Sequence, residues 1–421
     1  MQTSGFDRRR RAAVPVCALL VLSAGTIPEV NPSSFFWSAP AILAAAMLIA
    51  WAAESAQFFI AQGFALAILA WLQTLPEFAV EAVLAWKQQV PLLLANLTGA
   101  LRLLTGLGWP MIYFTAAMFH RSRHERPLRQ ISLEDEHCVE VVALLVCMVY
   151  AAVIWWKASL GLFDAAVLIA IYVAYLLVLT RMPPKAAERV EEMERIPRAI
   201  VTSPRRVRIA IITSLFVAGG ALIYFMAEPF LASLLAVSLL FGVPNFVFVQ
   251  WVAPFVSEFP EKVSAFYWAR TVERASMALM NMVSSNINQW TLLAAMLPIT
   301  YSISRGAASP ILFDGRQELE IAMTLGQSLV GTLFLVNMKL DWREATALFC
   351  LWLAQFALSP VAPGPGIIGY LAAHIHLWIT VAYFVWAFVE MLRIARGKRR
   401  PLAFQLFIRM WKGRPADGAI K

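Results

Sequence analysis

Apolar runs of about 20 residues recur along the whole chain, and each is long enough to cross a lipid bilayer as one helix. Inside a bilayer no water bonds to backbone N–H and C=O groups, so only helices and closed barrels can cross it. With 60% hydrophobic and 14% charged residues, the chain has no hydrophilic stretch long enough for a soluble catalytic domain. We therefore predict an all-α polytopic membrane protein that is not an enzyme. Twelve spans are predicted, at about 12–28, 38–54, 62–86, 90–116, 137–155, 160–180, 208–228, 231–261, 275–300, 318–337, 342–360 and 366–392.

Positive charges divide unequally between the two sides of the predicted membrane. With the N-terminus in the cytoplasm, the inner segments hold 30 of the 35 Lys and Arg residues. The outer loops hold only Lys87, Lys157, Arg305 and Arg316, and Arg102 alone lies within a span. Because cytoplasmic loops are enriched in Lys and Arg, both termini are predicted to be cytoplasmic. The same rule explains the net charge of +9 without a nucleic-acid partner, and the short loops fit a bacterial cytoplasmic membrane.

Two further features bear on processing and cofactors. The segment 12–28 follows four arginines and precedes small residues at Ser23-Ala24-Gly25, so an extra span and a cleaved signal peptide both remain open. The four cysteines are scattered without metal-ligand spacing. We expect no disulfide framework, no zinc site and no cofactor.

A charged stretch at 181–207 divides the chain into two halves of five spans each. Because five is odd, the second half must enter the membrane from the opposite side, as in the inverted repeats of transporters. The expected organisation is a basic N-terminus with an extra span, a first repeat, a cytoplasmic linker, a second inverted repeat, and an extra span with a basic tail. Their bounds are 1–37, 38–180, 181–207, 208–360 and 361–421.

Each half contains an apolar segment that is interrupted by a Pro-Glu pair. Glu77 follows Pro76 in the first half, and Glu261 follows Pro260, 184 residues later, in the second. An acidic residue at the centre of a membrane helix costs roughly 2.5–3.5 kcal/mol and is functional by default. Proline breaks the helix and pushes the preceding residue out of the α region, which frees backbone carbonyls. Carboxylate, carbonyl and hydroxyl oxygens are the ligands of Ca²⁺ and similar cations, so a cation site is predicted here.

The span after each break carries further polar residues. Asn281, Ser284, Ser285 and Asn288 have the spacing i, i+3, i+4, i+7 and line one helix face, which is predicted to face a cavity or another helix. Asn96 matches Asn281 in the first half at an offset of 185 residues. Both asparagines are candidate site residues.

These paired segments resemble the alpha repeats of the calcium/cation antiporter superfamily, which includes the sodium/calcium exchangers. Its motifs are Gly-Thr-Ser-Leu-Pro-Glu and a following Gly-Ser-Asn. Residues 74–77 and 257–261 are similar to the first motif, and residues 284–286 to the second. The resemblance covers roughly residues 38–360. It implies a core of ten helices in two inverted five-helix repeats, alternating access, and Glu77 and Glu261 as the central ligands of a transported cation.

The resemblance also implies roles for the neighbouring positions. The hydroxyl positions before proline correspond to Thr74 and Ser257, while Gln73 and Glu258 replace family hydroxyls. On the following helices, the ligand positions correspond to Ser285 and Gln289 in the second half. In the first half they fall on Ala100 and Leu104, whose side chains cannot bind a cation. The implied site is therefore asymmetric, with fewer ligands from the first half than from the second.

Two cationic side chains lie near the implied site. Arg102 either points into it and neutralises a carboxylate, or pairs with Glu81, one helical turn beyond Glu77. Lys262, next to Glu261, is expected to extend to the cytoplasmic edge. The leading hypothesis is a secondary antiporter that exchanges Ca²⁺ for Na⁺ or H⁺. Because the first half lacks ligands, a monovalent cation/H⁺ exchanger and a transport-inactive membrane scaffold remain alternatives. The expected partners are inorganic cations and lipid; the sequence leaves the oligomeric state open.

Overall fold

The computed structural model describes residues 31–56, 71–180, 193–361 and 364–412. The predicted segment 12–28 and the first part of the linker, 181–192, lie outside these residues, as does the first part of the segment 62–86.

The first half is helical and has the order predicted from hydropathy. A short 3₁₀ turn, Pro32–Ser34, leads into α1. A π-helical turn, Leu104–Gly108, joins α3 to α4, and a 3₁₀ turn, Asp135–His137, precedes α5. The helices are α1 Phe35–Ala56, α2 Leu75–Trp86, α3 Val90–Leu103, α4 Trp109–His124, α5 Cys138–Trp156 and α6 Leu162–Leu179.

The second half repeats this layout after a short helix in the linker. A π-helical turn, Gln289–Leu293, joins α11 to α12. It begins 185 residues after its counterpart, which is the same offset that relates Asn96 to Asn281. The helices are α7 Arg195–Val201, α8 Arg205–Phe241, α9 Asn245–Ser257, α10 Phe259–Arg270, α11 Ala275–Asn288, α12 Ala294–Arg305, α13 Gly315–Leu335, α14 Trp342–Leu358, α15 Ile367–Ala395 and α16 Leu402–Trp411.

Among the described residues, six helical stretches are long and apolar enough, by length and composition, to cross a membrane. Three other predicted spans, 231–261, 318–337 and 342–360, fall short for identifiable reasons. The helices α9 and α10 are separated at Glu258, and α14 has only 17 residues. The helix α13 is long enough but carries buried polar side chains, among them Glu320 and Gln327. These three segments thus differ from a long apolar helix by a break, by buried polar groups or by their length.

The predicted boundary between the spans 208–228 and 231–261 was wrong. The helix α8 continues through Pro229 and ends at Phe241, followed by Gly242 in the left-handed conformation. Beyond the proline it remains packed, because Phe230 stacks on Phe35 with ring centroids 6.3 Å apart and the hydroxyls of Ser233 and Ser38 are 2.8 Å apart. Packing against α1 therefore outweighs the hydrogen bond that Pro229 cannot make.

Two short strand pairs connect the halves. The strand β1, Gln130–Ser132, pairs antiparallel with β4, Lys339–Asp341. The strand β2, Ser159–Leu160, pairs antiparallel with β3, Ile311–Leu312. The first pair joins two loops predicted to be cytoplasmic, and the second joins two predicted to be outside. Each strand pair therefore joins loops that were predicted to lie on the same side of the membrane.

Candidate functional site

Both Pro-Glu segments interrupt a helix, but not at the residue that directly precedes the proline. Leu75 and Phe259 already belong to the new helices, which are preceded by Thr74, with φ −87° and ψ −1°, and by Glu258, with φ −94° and ψ 2°. The prediction that the residue before each proline leaves the α region was therefore wrong. Each proline lies in the first helical turn, where its missing N–H costs little.

The interruption changes which backbone carbonyls are available to bind a cation. The carbonyl of Thr74 accepts bonds from the N–H groups of Glu77 and Phe78 at 3.0 and 3.1 Å, so it is not free as a ligand. Pro76 and Pro260 lack the N–H that would normally bond the carbonyl four residues earlier. The carbonyls without that helical donor belong to Leu72 and Val256.

Gln289 connects the two breaks. Its side-chain amide donates to a carboxylate oxygen of Glu77 and to one of Glu258, both at 2.8 Å. All three side chains are buried, with at most 2% of each residue exposed. Gln289 is the first residue of the π-helical turn in the second half, and its counterpart in the first half is Leu104. π-Helical turns often occur at functional sites because they redirect side chains.

The polar stripe of α11 faces both breaks. The hydroxyl of Ser285 donates to Glu261, the amide of Asn288 donates to the hydroxyl of Thr74, and the amide of Asn281 donates to Gln73 at 3.3 Å. Helix α11 therefore brings the predicted residues of the first half together with those of the second.

Several oxygen atoms in this cluster have no donor among the described residues. They are buried acceptors, and leaving such an atom unpaired costs about 1–3 kcal/mol. Oxygen ligands of this kind suit hard cations such as Ca²⁺. The cluster thus has the composition of a cation site. The unpaired oxygens are Glu77 Oε1, Glu261 Oε2, Asn281 Oδ1, Asn288 Oδ1 and Gln289 Oε1.

Ser257 and Asn96, which were also predicted as site residues, bond to groups other than Glu77 and Glu261. The hydroxyl of Ser257 donates to the carbonyl of Ala253 at 3.0 Å, within its own helix. Asn96 donates to Glu81 at 3.2 Å, and both side chains are buried. Glu81 is close enough to Glu77 for their charges to interact. Glu81 and Asn96 therefore form a side branch of the cluster, one turn away from Glu77.

Acidic charge dominates the site. Glu258, Glu81 and Glu261 all lie close enough to Glu77 to interact with it electrostatically. Lys262 does not extend to the cytoplasmic edge as expected; it is 6% exposed and its ammonium lies 2.6 Å from Glu258. The i, i+4 spacing within one helix brings these two side chains together. Among the described residues, one cation thus faces four carboxyl groups.

Neither interpretation of Arg102 was correct. Its guanidinium lies 2.8 Å from Glu320 on α13, with both side chains 1% exposed, and it also donates to the carbonyl of Thr98 at 3.1 Å. Gln250 donates to Glu320 at 2.8 Å, and His376 contacts the same carboxylate. This second buried polar cluster was missed from the sequence. Its one available signal was Glu320 itself, a carboxylate within a predicted span.

Comparison with known proteins extends these observations. The family model described as sodium/calcium exchanger protein matches residues 33–181 and again residues 211–359. The crystal structure of the H⁺/Ca²⁺ exchanger CAX is 29% identical, covers 96% of this chain and 99% of its own, and superposes with a TM-score of 0.83.

Two more distant structures share the fold. The structure of native YfkE is 14% identical, covers 88% of this chain and 98% of its own, and has a TM-score of 0.56. The sodium-calcium exchanger NCX_Mj is 17% identical, covers 77% of this chain and 98% of its own, and has a TM-score of 0.52. None of the curated proteins compared by sequence matches the chain.

Proposed function

The chain belongs to the sodium/calcium exchanger protein family, whose model matches both of its halves, and we propose on this premise that it is a secondary active antiporter that moves Ca²⁺ in exchange for H⁺. Membership confirms the resemblance expected from the Pro-Glu segments. It also confirms the all-helical, multi-pass fold with two exchanger repeats. The family is one of antiporters and not a class of enzymes.

The observation that carries the proposal is the bridge that Gln289 makes between Glu77 and Glu258. It brings the acidic residues of both repeats into one buried cluster, beside oxygens that have no donor in the part of the chain that the structure describes. In our proposal Glu77 and Glu261 are the main ligands of the transported cation. Ser285, Gln289 and Thr74 orient these carboxylates or complete the shell of oxygens, while Glu258 is held by Lys262.

The charge of the site supports a divalent cation and a proton as the exchanged ions. Several ionised carboxylates are costly to bury unless they are neutralised. A bound Ca²⁺ neutralises two of them. After it leaves, protons neutralise the same groups, so that the two kinds of ion occupy the site in turn. The similarity to an H⁺/Ca²⁺ exchanger over 96% of the chain supports the same pair of ions.

The test is ion flux in vesicles that contain the purified protein. We expect ⁴⁵Ca²⁺ uptake driven by a pH gradient, and a reduction of at least roughly tenfold in the variant Glu77→Gln plus Glu261→Gln, since each substitution removes a ligand charge. Glu228→Gln is the matched control, because that carboxylate is 63% exposed and lies outside the site. Equal flux in the double variant and the wild type would defeat the proposal, and a response to Na⁺ gradients alone would replace H⁺ by Na⁺ as counter-ion.

The two alternatives predict different responses to ions in thermal melting. A ligand that binds only the folded state raises its stability with ligand concentration. A calcium antiporter is stabilised by Ca²⁺, and a monovalent cation exchanger by Na⁺ or K⁺ without an effect of Ca²⁺. A transport-inactive scaffold is stabilised by none of them.

The orientation proposed for the antiporter has both termini in the cytoplasm, as expected for a protein of a bacterial cytoplasmic membrane. It rests on the excess of Lys and Arg in the loops on that side. A thiol-specific, membrane-impermeant reagent applied to intact cells, with a single cysteine introduced at Lys412 or at Arg305, distinguishes the two sides. Labelling from outside at Lys412 would reverse the orientation.

A further inference from the structure

A cavity of about 1140 Å³, lined by none of the residues of the acidic cluster, opens between the start of α14, the end of α15 and the start of α16. Arg129, next to the strand β1, and Lys339 in β4 also line it. These segments all lie on the side predicted to be cytoplasmic. The cavity is therefore located where the helices leave the membrane.

The lining of the cavity is strongly basic. Seven Lys and Arg side chains face three acidic ones. The acids are already engaged: Glu390 pairs with Arg393 and Arg399, and Glu344 contacts Arg399 and caps its own helix. The third acid, Asp341, caps the same helix by accepting a bond from the N–H of Arg343 at 2.9 Å.

Five of the basic residues have no ion pair among the described residues, namely Arg129, Lys339, Arg343, Lys398 and Arg400. Their charges are available to a ligand. Arg399, at the base of the cavity, is held in place, because it is only 6% exposed and also donates to the carbonyl of Leu333 at 3.0 Å. The cavity therefore combines free positive charge with a rigid base.

Apart from Asn337, the rest of the lining is apolar. Phe334, Trp386, Val389 and Leu402 form part of the wall. Tryptophan is enriched where proteins cross the headgroup region. The amphipathic helix α16 adjoins the cavity and is held to the end of α13 by a bond from Ala403 N–H to the carbonyl of Val336 at 2.9 Å. A short amphipathic helix of this kind is typical of a membrane surface.

We propose that this cavity binds the phosphate headgroup of an anionic glycerophospholipid, with the start of its acyl chains against the apolar wall. Basic pockets between helices on the cytoplasmic side are suited to such headgroups. The mixture of free cations with aromatic and aliphatic walls favours a lipid over a free phosphate ion, which needs no apolar surface. The proposal is independent of the transported ion.

The test uses the purified full chain in detergent and native mass spectrometry with added phosphatidylglycerol, phosphatidylcholine or inorganic phosphate. We expect phosphatidylglycerol to bind in preference to phosphatidylcholine. Lys339→Ala plus Arg400→Ala is expected to weaken its binding roughly 10- to 30-fold, since each basic residue near a lipid surface contributes about 1 kcal/mol. If that variant does not fold, Arg129→Ala plus Lys398→Ala removes the same charge from the same cavity.

Arg409→Ala plus Lys412→Ala is the matched control, because both residues are exposed and do not line the cavity. It is expected to bind phosphatidylglycerol as the wild type does. Unchanged binding by the cavity variants, or an equal loss in the control, would overturn the proposal. Equal binding of phosphatidylcholine, or displacement of the lipid by millimolar inorganic phosphate, would show that the cavity does not recognise an anionic lipid.

Discussion

Gln289 and Glu77 are joined by a hydrogen bond of 2.8 Å, although 212 residues separate them in the chain. The same amide reaches Glu258. One neutral side chain thus positions carboxylates from both repeats. The corresponding residue of the first repeat, Leu104, cannot do the same, so this function belongs to one half only.

Gln289→Leu gives the second repeat the leucine that the first repeat has at the corresponding position, Leu104. We expect Ca²⁺ flux at limiting Ca²⁺ to fall at least roughly tenfold, because hydrogen bonds to charged groups contribute about 1.5–3 kcal/mol each and two are lost. Measuring Ca²⁺ flux in vesicles at several Ca²⁺ concentrations tests this expectation. Gln405→Leu, on the exposed side of α16, is the control and leaves flux unchanged. A variant at position 289 with normal flux would remove Gln289 from the site.

Arg102→Ala leaves the carboxylate of Glu320 buried without its main cation. Breaking a buried ion pair costs about 3–5 kcal/mol, so a large fall in melting temperature is expected in detergent. Lys87→Ala is the control, because the Lys87–Glu228 pair is 38% and 63% exposed and such pairs contribute about 0–1 kcal/mol. Arg102→Met plus Glu320→Gln is expected to recover part of the loss. Equal melting shifts for Arg102→Ala and Lys87→Ala would contradict the structural role given to the buried pair.

Gly99→Ala is expected to separate α3 from α9. A Cβ atom at Gly99 would lie 1.9 Å from the carbonyl oxygen of Gln250, a backbone atom that cannot move without the whole helix. Because Gln250 also bonds Glu320, both folding yield and melting temperature should fall. At Gly220 a Cβ would meet nothing within 4 Å, so Gly220→Ala should be neutral or gain up to about 1 kcal/mol from helix propensity. Similar behaviour of the two variants would mean that the close approach of the helices is unimportant.

His376→Leu tests how the additional helix α15 is held. His376 contacts Glu320 on α13 and lies 2.9 Å from the hydroxyl of Ser359. We expect a lower melting temperature after loss of these bonds, with partial recovery in His376→Gln, which keeps a donor. His374→Leu is the control, since that imidazole is half-buried and its one hydrogen bond among the described residues is to the carbonyl of Tyr370 in its own helix. No difference between positions 374 and 376 would show that the contact with Glu320 does not hold α15 in place.

Local features of the chain were predicted best. The helical stripe of Asn281, Ser285 and Asn288 faces the two breaks, because residues three and four apart share one face of a helix whatever surrounds it. Helix boundaries were less secure. Pro229 and Pro260 both interrupt apolar stretches of the sequence, yet α8 continues through Pro229, while the new helix α10 begins at Phe259, just before Pro260. The difference lies in the contacts of Phe230 and Ser233 with α1, which hydropathy does not report.

The all-helical membrane fold, its two exchanger repeats and the duplicated acidic breaks were determined by the sequence alone. Each follows from residues that are close together in the chain, or from the preference of apolar segments for lipid over water. Only the tertiary structure decided which partner each buried charge takes: Lys262 with Glu258, Arg102 with Glu320, and Gln289 between Glu77 and Glu258. A charge in low-dielectric surroundings must find a partner within a few ångströms, and which groups come that close depends on how distant helices pack.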